Sequence, residues 1–436
     1  MTTEYWTILL FLCLFSLIFL GLPVCFALGG TAMVFIAILW GPDALYLAVS
    51  QPWAAGNQFI LVAIPLFVFM AMILERSGIA DELYDMMYIW FGGIRGGLAV
   101  GTLIICTIFA AMCGISGTAT VTMGAIALPS MLKRGYNRDI AIGCINSGGG
   151  WGILMPPSVD MIIYALISGE SVGRMFAGGI IPTLLLLTLD SIYIFVRSFI
   201  QKDLAPALSK DERVSFVNKI RTLKSVILPI IVTLGVLGSI LLGIASPTEA
   251  ASIGVLASIL VAWKRLNIKL IYEAAGSAFR ISAMIMWLIF GAYCLSSIIQ
   301  GMNVSNVVHN LVQYIPAGRW GVIIFFQIII FFFAMAMSST GIMLITLPIM
   351  LPIVESLGFD TLWFGILFIV QMEIGYMTPP FGYNLFYLKA VAPNGISMGD
   401  IYKSAIFFIM VETIGLIVLM IFPQLALWLP NLLFPK

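Results

Sequence analysis

Apolar runs, each about as long as a membrane-spanning helix, follow one another along the chain. The first three cover residues 6–27, 30–48 and 56–75, and we expect each to be a separate span. Short segments of alternating apolar and polar residues, which would indicate transmembrane β-strands, are absent from the sequence. The pattern therefore predicts an all-α polytopic membrane protein with about ten spans.

Two apolar segments, 97–132 and 320–354, are too long for one span and too short for two spans with a turn. Each has a midpoint rich in glycine and hydroxyl residues, GISGTATV at Gly114–Val121 and SSTG at Ser338–Gly341. Non-helical backbone at membrane depth is tolerated only inside protein or beside a polar cavity. Basic residues flank the first segment, and no basic cluster holds the second on the cytoplasmic side. We therefore expect two re-entrant helical hairpins that enter from opposite sides.

Each predicted hairpin is followed by a helix that carries the same interruption, Gly-x-x-x-Pro-Pro. The helices are expected at 139–168 and 361–390. Proline removes a backbone donor and clashes with the preceding turn, so it breaks a helix. In the first helix we expect two breaks, at Gly148–Gly150 and at Pro156–Pro157.

The two hairpin and broken-helix units have opposite predicted topology, and they divide the chain into halves. We expect a first repeat at 1–200, a cytoplasmic linker rich in Lys and Arg at 201–224, and a second repeat at 225–436. Inverted repeats with paired interrupted helices are typical of secondary transporters. The alternative is that Pro-Pro merely kinks two unrelated helices.

Composition removes several classes of function. The chain is 61% hydrophobic and 9% charged, with a mean hydropathy of +1.10, so no part of it resembles a soluble domain. It has no Walker A or HExxH motif, and its 6 cysteines and 1 histidine form no metal-binding pattern. We therefore expect no enzymatic activity, no cofactor and no nucleic-acid partner. An ion gradient is the natural source of energy.

The interrupted helices and hairpin tips supply the candidate binding sites. Freed carbonyls and Ser, Thr and Asn oxygens suit a hard monovalent cation, whereas helix N-termini suit an anion. The residues expected at a first sodium site are Gly114, Ser116, Gly117, Thr118, Asn146, Gly148 and Gly149. Those expected at a second sodium site are Ser338, Ser339, Thr340, Gly341, Glu373, Gly375 and Thr378. Those expected in a substrate cavity between the tips are Ser116, Pro156, Pro157, Ser158, Asp160, Pro379, Pro380 and Asn384.

Each of these assignments has a simpler alternative. The tip hydroxyls could only cap helix ends. Asp160 could face the water-filled end of its span instead of the cavity. Glu373, an intramembrane carboxylate and so a functional candidate, could pair with a basic residue.

Seven segments carry a resemblance to one family: IPLFVFMAMILERSGIADELYD (Ile64–Asp85), GISGTATVTMGAIALPSMLKRGY (Gly114–Tyr136), GGGWGILMPPS (Gly148–Ser158), GIASPTEAASIG (Gly243–Gly254), ITLPIMLPIVESLGFD (Ile345–Asp360), EIGYMTPPFGYNLF (Glu373–Phe386) and FPQLALWLPNLL (Phe422–Leu433). Over essentially its whole length the chain resembles the large membrane (M) subunit, or large permease, of tripartite ATP-independent periplasmic (TRAP) transporters.

The resemblance implies an elevator-type, inverted-repeat transporter of the bacterial inner membrane. It has a scaffold, two arm helices, expected near Ala80–Trp90 and Ile268–Ala278, and a transport domain built from the hairpins and broken helices. The implied partners are a small four-helix Q subunit and a soluble periplasmic binding protein. The implied activity is import of a small organic anion, a carboxylate or sulfonate, with Na⁺ as the coupling ion. Many relatives carry an aspartate at the second hairpin tip, where this chain has Ser338-Ser339-Thr340, which leaves the second ion site open.

Three other hypotheses remain. The chain could be an autonomous ion-coupled anion carrier of related fold, which would need neither partner. It could be a membrane subunit that only scaffolds a complex, although a scaffold has no need of buried Ser, Thr and Gly at hairpin tips. It could be a channel, although two opposed hairpins that each end at mid-membrane favour alternating access.

Overall fold

The computed structural model describes residues 3–207, 216–304, 306–308 and 315–435, and all the regular structure in these ranges is helical. Six described helices are long and apolar enough to cross a membrane, and seven shorter apolar helices accompany them. The prediction of an all-α polytopic membrane protein is confirmed.

The helices of the first half are α1 (Thr3–Phe19), α2 (Val24–Trp40), α3 (Leu47–Gly56), α4 (Ala63–Arg76), α5 (Ile79–Phe91), α6 (Gly97–Cys113), α7 (Thr118–Lys133), α8 (Arg138–Gly150), α9 (Val159–Ser168) and α10 (Val172–Ile200). The described helices of the second half are α11 (Phe216–Leu241), α12 (Pro247–Ala262), α13 (Ile268–Gly301), α14 (Gly318–Ala336), α15 (Ser339–Ser356), α16 (Thr361–Tyr376), α17 (Tyr383–Val391), α18 (Met398–Ile421) and α19 (Gln424–Leu433).

The segments predicted as hairpins and broken helices each contain two helices with a turn or an interruption between them. Helices α6 and α7 form the first hairpin and α14 and α15 the second, with turns at 114–117 and 337–338. The broken helices are α8 with α9, interrupted at 151–158, and α16 with α17, interrupted at 377–382. A long helix follows each unit, α10 in the first half and α18 in the second.

Two predicted helix boundaries are wrong, the one between the spans 6–27 and 30–48 and the break at Gly148–Gly150. The first span ends at Phe19, because Gly21 takes a left-handed φ of 88° and Pro23 lacks the N–H that would continue the helix. Gly29 instead lies inside α2, where a Cβ would be 3.6 Å from the Cα of Gly291 in α13. The glycine marks a close helix crossing and not an end.

The glycine triplet Gly148–Gly150 likewise continues α8 and does not break it. A Cβ on Gly148 would lie 2.9 Å from the Cβ of Cys106 in α6. A Cβ on Gly149 would lie 2.1 Å from the hydroxyl of Thr120 in α7. These glycines therefore let the first hairpin pack directly on the backbone of α8.

The two predicted arms differ from each other. The first is the separate amphipathic helix α5, as expected. The second is the beginning of the continuous 34-residue helix α13, which at about 1.5 Å per residue is much longer than a bilayer core. Ion pairs Arg76–Glu273, at 3.0 Å, and Arg265–Glu82 join the two regions.

The start of the predicted linker is hydrogen-bonded to the first hairpin and to the residue before α8. Ahead of α6 and α8, the amides of Gly96 and Asn137 donate to the carbonyls of Ala205 and Leu204, at 3.0 and 2.7 Å. Residues 208–215 lie outside the described residues, and residues 216–224 already belong to α11. The start of the linker therefore closes the base of the hairpin.

The described helices pack in two groups. In one, α13 packs against α2, α3 and α4, and α12 packs against α4 and α11. In the other, the first hairpin packs against α8, α14 packs against α16, and α18 packs against α8, α10 and α16. Helix α15 of the second hairpin contacts α13, and α6 of the first hairpin contacts α4 and α5, so both hairpins connect the groups.

Candidate functional site

Four helices begin around one small cavity at the hairpin tips. They are α7 and α15 of the hairpins and α9 and α17, the second parts of the broken helices. The cavity has a volume of about 130 Å³ and lies between residues from both tips and from the start of α9 and α17. Because the N-terminus of a helix carries partial positive charge, the arrangement favours an anion.

The cavity wall contains residues of three kinds. Polar groups come from Ser116, Ser339, Thr340 and Asp160, and no lysine or arginine is among the lining residues. The aromatic residues Tyr376, Tyr383 and Tyr387 line it as well, and the sequence analysis did not predict them there. The remaining wall includes Met284, Ile285 and Leu288, a purely apolar contribution from α13.

Two glycines shape the first tip. Gly114 and Gly117 have φ of 64° and 86°, which a residue with a side chain rarely adopts. A Cβ on Gly114 would lie 2.3 Å from the carbonyl oxygen of Pro157, and one on Gly117 would lie 2.5 Å from the ring of Tyr387. The first four residues of GISGTATV therefore form a turn that packs against both broken helices.

The first tip binds the broken helix of its own half through backbone and that of the other half through side chains. The amide of Val159 donates to the carbonyl of Gly114 at 3.1 Å. The hydroxyl of Ser116 donates to the side-chain oxygen of Asn384 at 3.1 Å. The side-chain nitrogen of Asn384 in turn donates to the carbonyl of Asn146 at 3.4 Å.

The second tip repeats this arrangement with a carboxylate in place of the amide. Ser339 donates to Asp160 at 2.7 Å, and Thr340 donates to the other oxygen of Asp160 at 3.4 Å. The amide of Ser339 also donates to the hydroxyl of Tyr376 in its own half. Asp160 is only 5% exposed, so it lies inside the protein at the tip and not at the water-filled end of a span.

Several polar atoms beside the first tip have no hydrogen-bond partner among the described residues. They are both side-chain polar atoms of Asn146, which is 1% exposed, and the hydroxyl of Thr120, which is fully buried. Thr120 touches Gly149, one helical turn beyond Asn146. Buried polar atoms almost always have partners, so these oxygens form a candidate cation site. Thr120 was missed, although it lies within GISGTATV itself.

The residues predicted as ligands of the second sodium ion do not all lie together in the structure. Ser338 accepts from the amide of Gly341 at 3.4 Å and caps α15. Gly375 packs against Ala334, and the hydroxyl of Thr378 donates to the carbonyl of Ile374 at 2.6 Å. Glu373 makes no hydrogen bond to the tip in the described part of the chain.

The prolines predicted in the cavity lie behind its wall. Both Pro156–Pro157 and Pro379–Pro380 peptide bonds are cis, and the prolines do not line the cavity. Ser158 caps α9, accepting from the amide of Met161 at 3.4 Å. Among the residues predicted at the first sodium site, Gly148 contacts Cys106 and so serves packing.

Comparisons with known proteins agree on one family and one architecture. The family described as "Tripartite ATP-independent periplasmic transporter, DctM component" matches residues 11–425. The chain is 30% identical to the C4-dicarboxylate TRAP transporter large permease protein DctM of Vibrio cholerae, over 98% of this chain and 97% of that protein. It is 31% identical to the ectoine TRAP transporter large permease protein TeaC of Halomonas elongata, over 96% and 97%. The crystal structure of the Alcanivorax borkumensis YdaH transporter shares the fold, with a TM-score of 0.66 and 13% identity over 89% of each chain.

Proposed function

Because the chain belongs to the DctM-component family of tripartite ATP-independent periplasmic transporters, we propose that it imports a small organic anion by Na⁺ symport. Members of this family are permease subunits of the bacterial inner membrane and not enzymes. We propose the coupling ion, the substrate class and the transport mechanism in turn below from the contacts at the hairpin tips.

The observation that carries the proposal is the unpartnered oxygen set beside the first tip. Asn146 and Thr120 hold buried polar atoms that the described residues leave without a hydrogen bond. A bound Na⁺ would take such oxygens as ligands, together with backbone carbonyls of the tip. The ion would then bridge α7 and α8, so its binding would fix the position of the first tip.

A second ion is proposed at the second tip, with a ligand set that differs from the predicted one. Asp160 brings a carboxylate to Ser339 and Thr340 from the opposite half of the chain. It supplies at this tip the negative charge that the tip residues lack. Glu373, Gly375 and Thr378 are not included in this set.

The substrate is proposed to lie in the cavity between the tips. An anion there would face the positive ends of four helices, and it would lie beside the two cations. The relatives named above transport a C4-dicarboxylate and ectoine, and helix N-termini, not basic side chains, would meet the negative charge of a small carboxylate or sulfonate in this cavity.

The packing of the helices in two groups supports an elevator mechanism. The hairpins and broken helices would move as one body along α13, whose Met284, Ile285 and Leu288 present an apolar surface to the cavity. Because the family is that of tripartite periplasmic transporters, we also propose a Q membrane subunit and a periplasmic binding protein as partners.

The proposal is tested by uptake into proteoliposomes that hold this chain with its Q subunit and binding protein. Labelled carboxylates and sulfonates are supplied under an inward Na⁺ gradient or an equal K⁺ gradient. We expect uptake only with Na⁺, and we expect Thr120→Val to raise the Na⁺ concentration for half-maximal uptake about tenfold. Thr107→Val is the matched control, because the buried Thr107 hydroxyl donates to the carbonyl of Leu103 at 2.9 Å.

Uptake that is equal with K⁺ would overturn Na⁺ coupling. If Thr120→Val and Thr107→Val changed the Na⁺ concentration for half-maximal uptake equally, the ion would not be bound by Thr120. Uptake that persists without Q subunit and binding protein would favour an autonomous carrier.

A further inference from the structure

Three carboxylic residues lie together in the hairpin group, away from the tip cavity. They are Asp190 in α10, Glu373 in α16 and Glu412 in α18, and each is fully buried. These helices pack on one another, and α10 and α18 also pack on α8. No salt bridge in the described part of the chain involves any of the three.

The hydroxyl of Ser147 in α8 joins two of these carboxyl groups. Its oxygen is within hydrogen-bond distance of Asp190 and lies 2.8 Å from Glu412. A serine hydroxyl has one proton to donate and can otherwise only accept. If both carboxyl groups were ionised, one of the two contacts would join oxygen to oxygen with no proton between them. At least one of the two groups must therefore carry a proton.

The indole of Trp151 favours Asp190 as the group that carries the proton. Its N–H can only donate, and it lies 3.3 Å from the same oxygen of Glu412 that Ser147 contacts. Glu412 therefore accepts two hydrogen bonds, which favours its ionised form. Ser147 gives its proton to Glu412 and accepts one from Asp190.

Glu373 provides a separate observation. Its carboxyl group faces the same Trp151 indole, its two oxygens lie within hydrogen-bond distance of no donor in the described residues, and its side chain lies against Gly150. It brings no positive charge toward Asp190. An ionised Asp190 would then add a further uncompensated charge to a fully buried site, which is far more costly than binding a proton.

A metal ion is a poorer occupant. The described residues contain no group of three His, Cys, Asp or Glu side chains arranged to hold a metal.

Among the described residues, the other titratable groups that face Asp190 are Cys144 from α8 and Tyr193 from α10. Arg197 lies about 10 Å further along α10, and its guanidinium donates to Tyr193 at 2.7 Å.

We propose that Asp190, Ser147 and Glu412 form a proton-binding site in which Asp190 holds a proton that remains bound during transport. The ligand is H⁺, and the bound proton lets α8, α10 and α18 pack with one buried negative charge instead of two. The site stands whether or not transport is coupled to Na⁺.

The test is infrared spectroscopy of the full chain in lipid nanodiscs at neutral pH, with isotope-labelled aspartate to identify aspartic acid bands. The difference between wild type and Asp190→Asn should contain the C=O band of a protonated aspartic acid. The difference between wild type and Asp43→Asn should contain only an ionised carboxylate band, because Asp43 is exposed. The difference for Glu412→Gln should likewise contain only an ionised carboxylate band.

An ionised band for Asp190, or a protonated band for Glu412, would overturn the assignment. If Asp190→Asn does not fold, the Glu412→Gln difference spectrum still shows whether Glu412 is ionised, and so which of the two groups carries the proton. Raising the pH should lower the melting temperature of wild type more than that of Asp190→Asn, because only wild type loses the bound proton. Uptake by Asp190→Asn should stay within about twofold of wild type, since the amide also donates to Ser147. A folded variant without uptake would mean that the proton moves during transport.

Discussion

The two hairpin tips reach the same cavity with related contacts and different charge. At the first tip, Ser116 donates to the amide oxygen of Asn384, and at the second, Ser339 donates to the carboxylate of Asp160. Each acceptor lies just after the Pro-Pro break of the opposite half. The contact is alike at both tips, while the acceptor is an amide at the first tip and a carboxyl group at the second.

The tips also differ in how closely they pack. Gly114 and Gly117 have positive φ and leave no room for a Cβ against the broken helices. Gly341 at the second tip lies in the first turn of α15, with its nearest contact, the Ser338 hydroxyl, at 3.3 Å from a Cβ. The first tip depends on backbone shape, and the second on hydroxyl and carboxylate chemistry.

The largest effect is expected from Gly117→Ala. The new methyl group would meet the Tyr387 ring, and φ would be strained, so the variant should lose about 1–3 kcal/mol of stability and most of its uptake. Gly341→Ala, the equivalent change at the second tip, should alter stability by less than about 1 kcal/mol. Thermal unfolding and uptake measured side by side test this, and equal losses would remove the distinction between the tips.

Asp160→Asn should make the second tip resemble the first. With a neutral amide in place of the carboxylate, we expect the Na⁺ concentration for half-maximal uptake to rise about tenfold. Thermal stability without Na⁺ should not fall, since a buried carboxylate with no basic partner is replaced by an uncharged group of the same shape. Asp43→Asn on the surface is the control. An unchanged Na⁺ requirement would place the second ion elsewhere.

A smaller effect should separate the two tip serines. Removing a hydrogen bond to a charged group costs about 1.5–3 kcal/mol, and removing one between neutral groups about 0.5–1.5 kcal/mol. Ser339→Ala, which loses the bond to Asp160, should therefore be more destabilising than Ser116→Ala, which loses the bond to Asn384. Chemical unfolding of both variants gives the ranking, and the reverse order would argue that Asp160 is uncharged.

The smallest effect is expected from Thr378→Val. The Thr378 hydroxyl donates to the carbonyl of Ile374 in its own helix, so uptake and Na⁺ requirement should change less than about twofold. Thr340→Val, which removes a contact to Asp160, should shift the Na⁺ requirement more. Uptake titrated with Na⁺ for both variants checks this, and a larger shift for Thr378 would restore it to the second ion site.

A structural feature could be predicted from the sequence where its local residue pattern has one structural meaning. Two adjacent prolines remove two successive backbone donors from a helix, so the breaks at 151–158 and 377–382 were predictable. Glycine has two meanings, a positive φ or a close contact. Gly117 has both meanings, whereas Gly29 and Gly149 have only the second, and the sequence does not distinguish these cases.

The sequence alone determined the helical class, the two hairpins, the two broken helices and their repetition, because these follow from the apolar run lengths and from glycine, proline and hydroxyl residues close together in the chain. The tertiary structure decided which side chains meet. Asp160 belongs to the first half and lies at the second tip, while Glu373 lies beside Gly150 and away from that tip. Such contacts join residues about half the chain apart, and they depend on how helices from both halves pack, which no local pattern specifies.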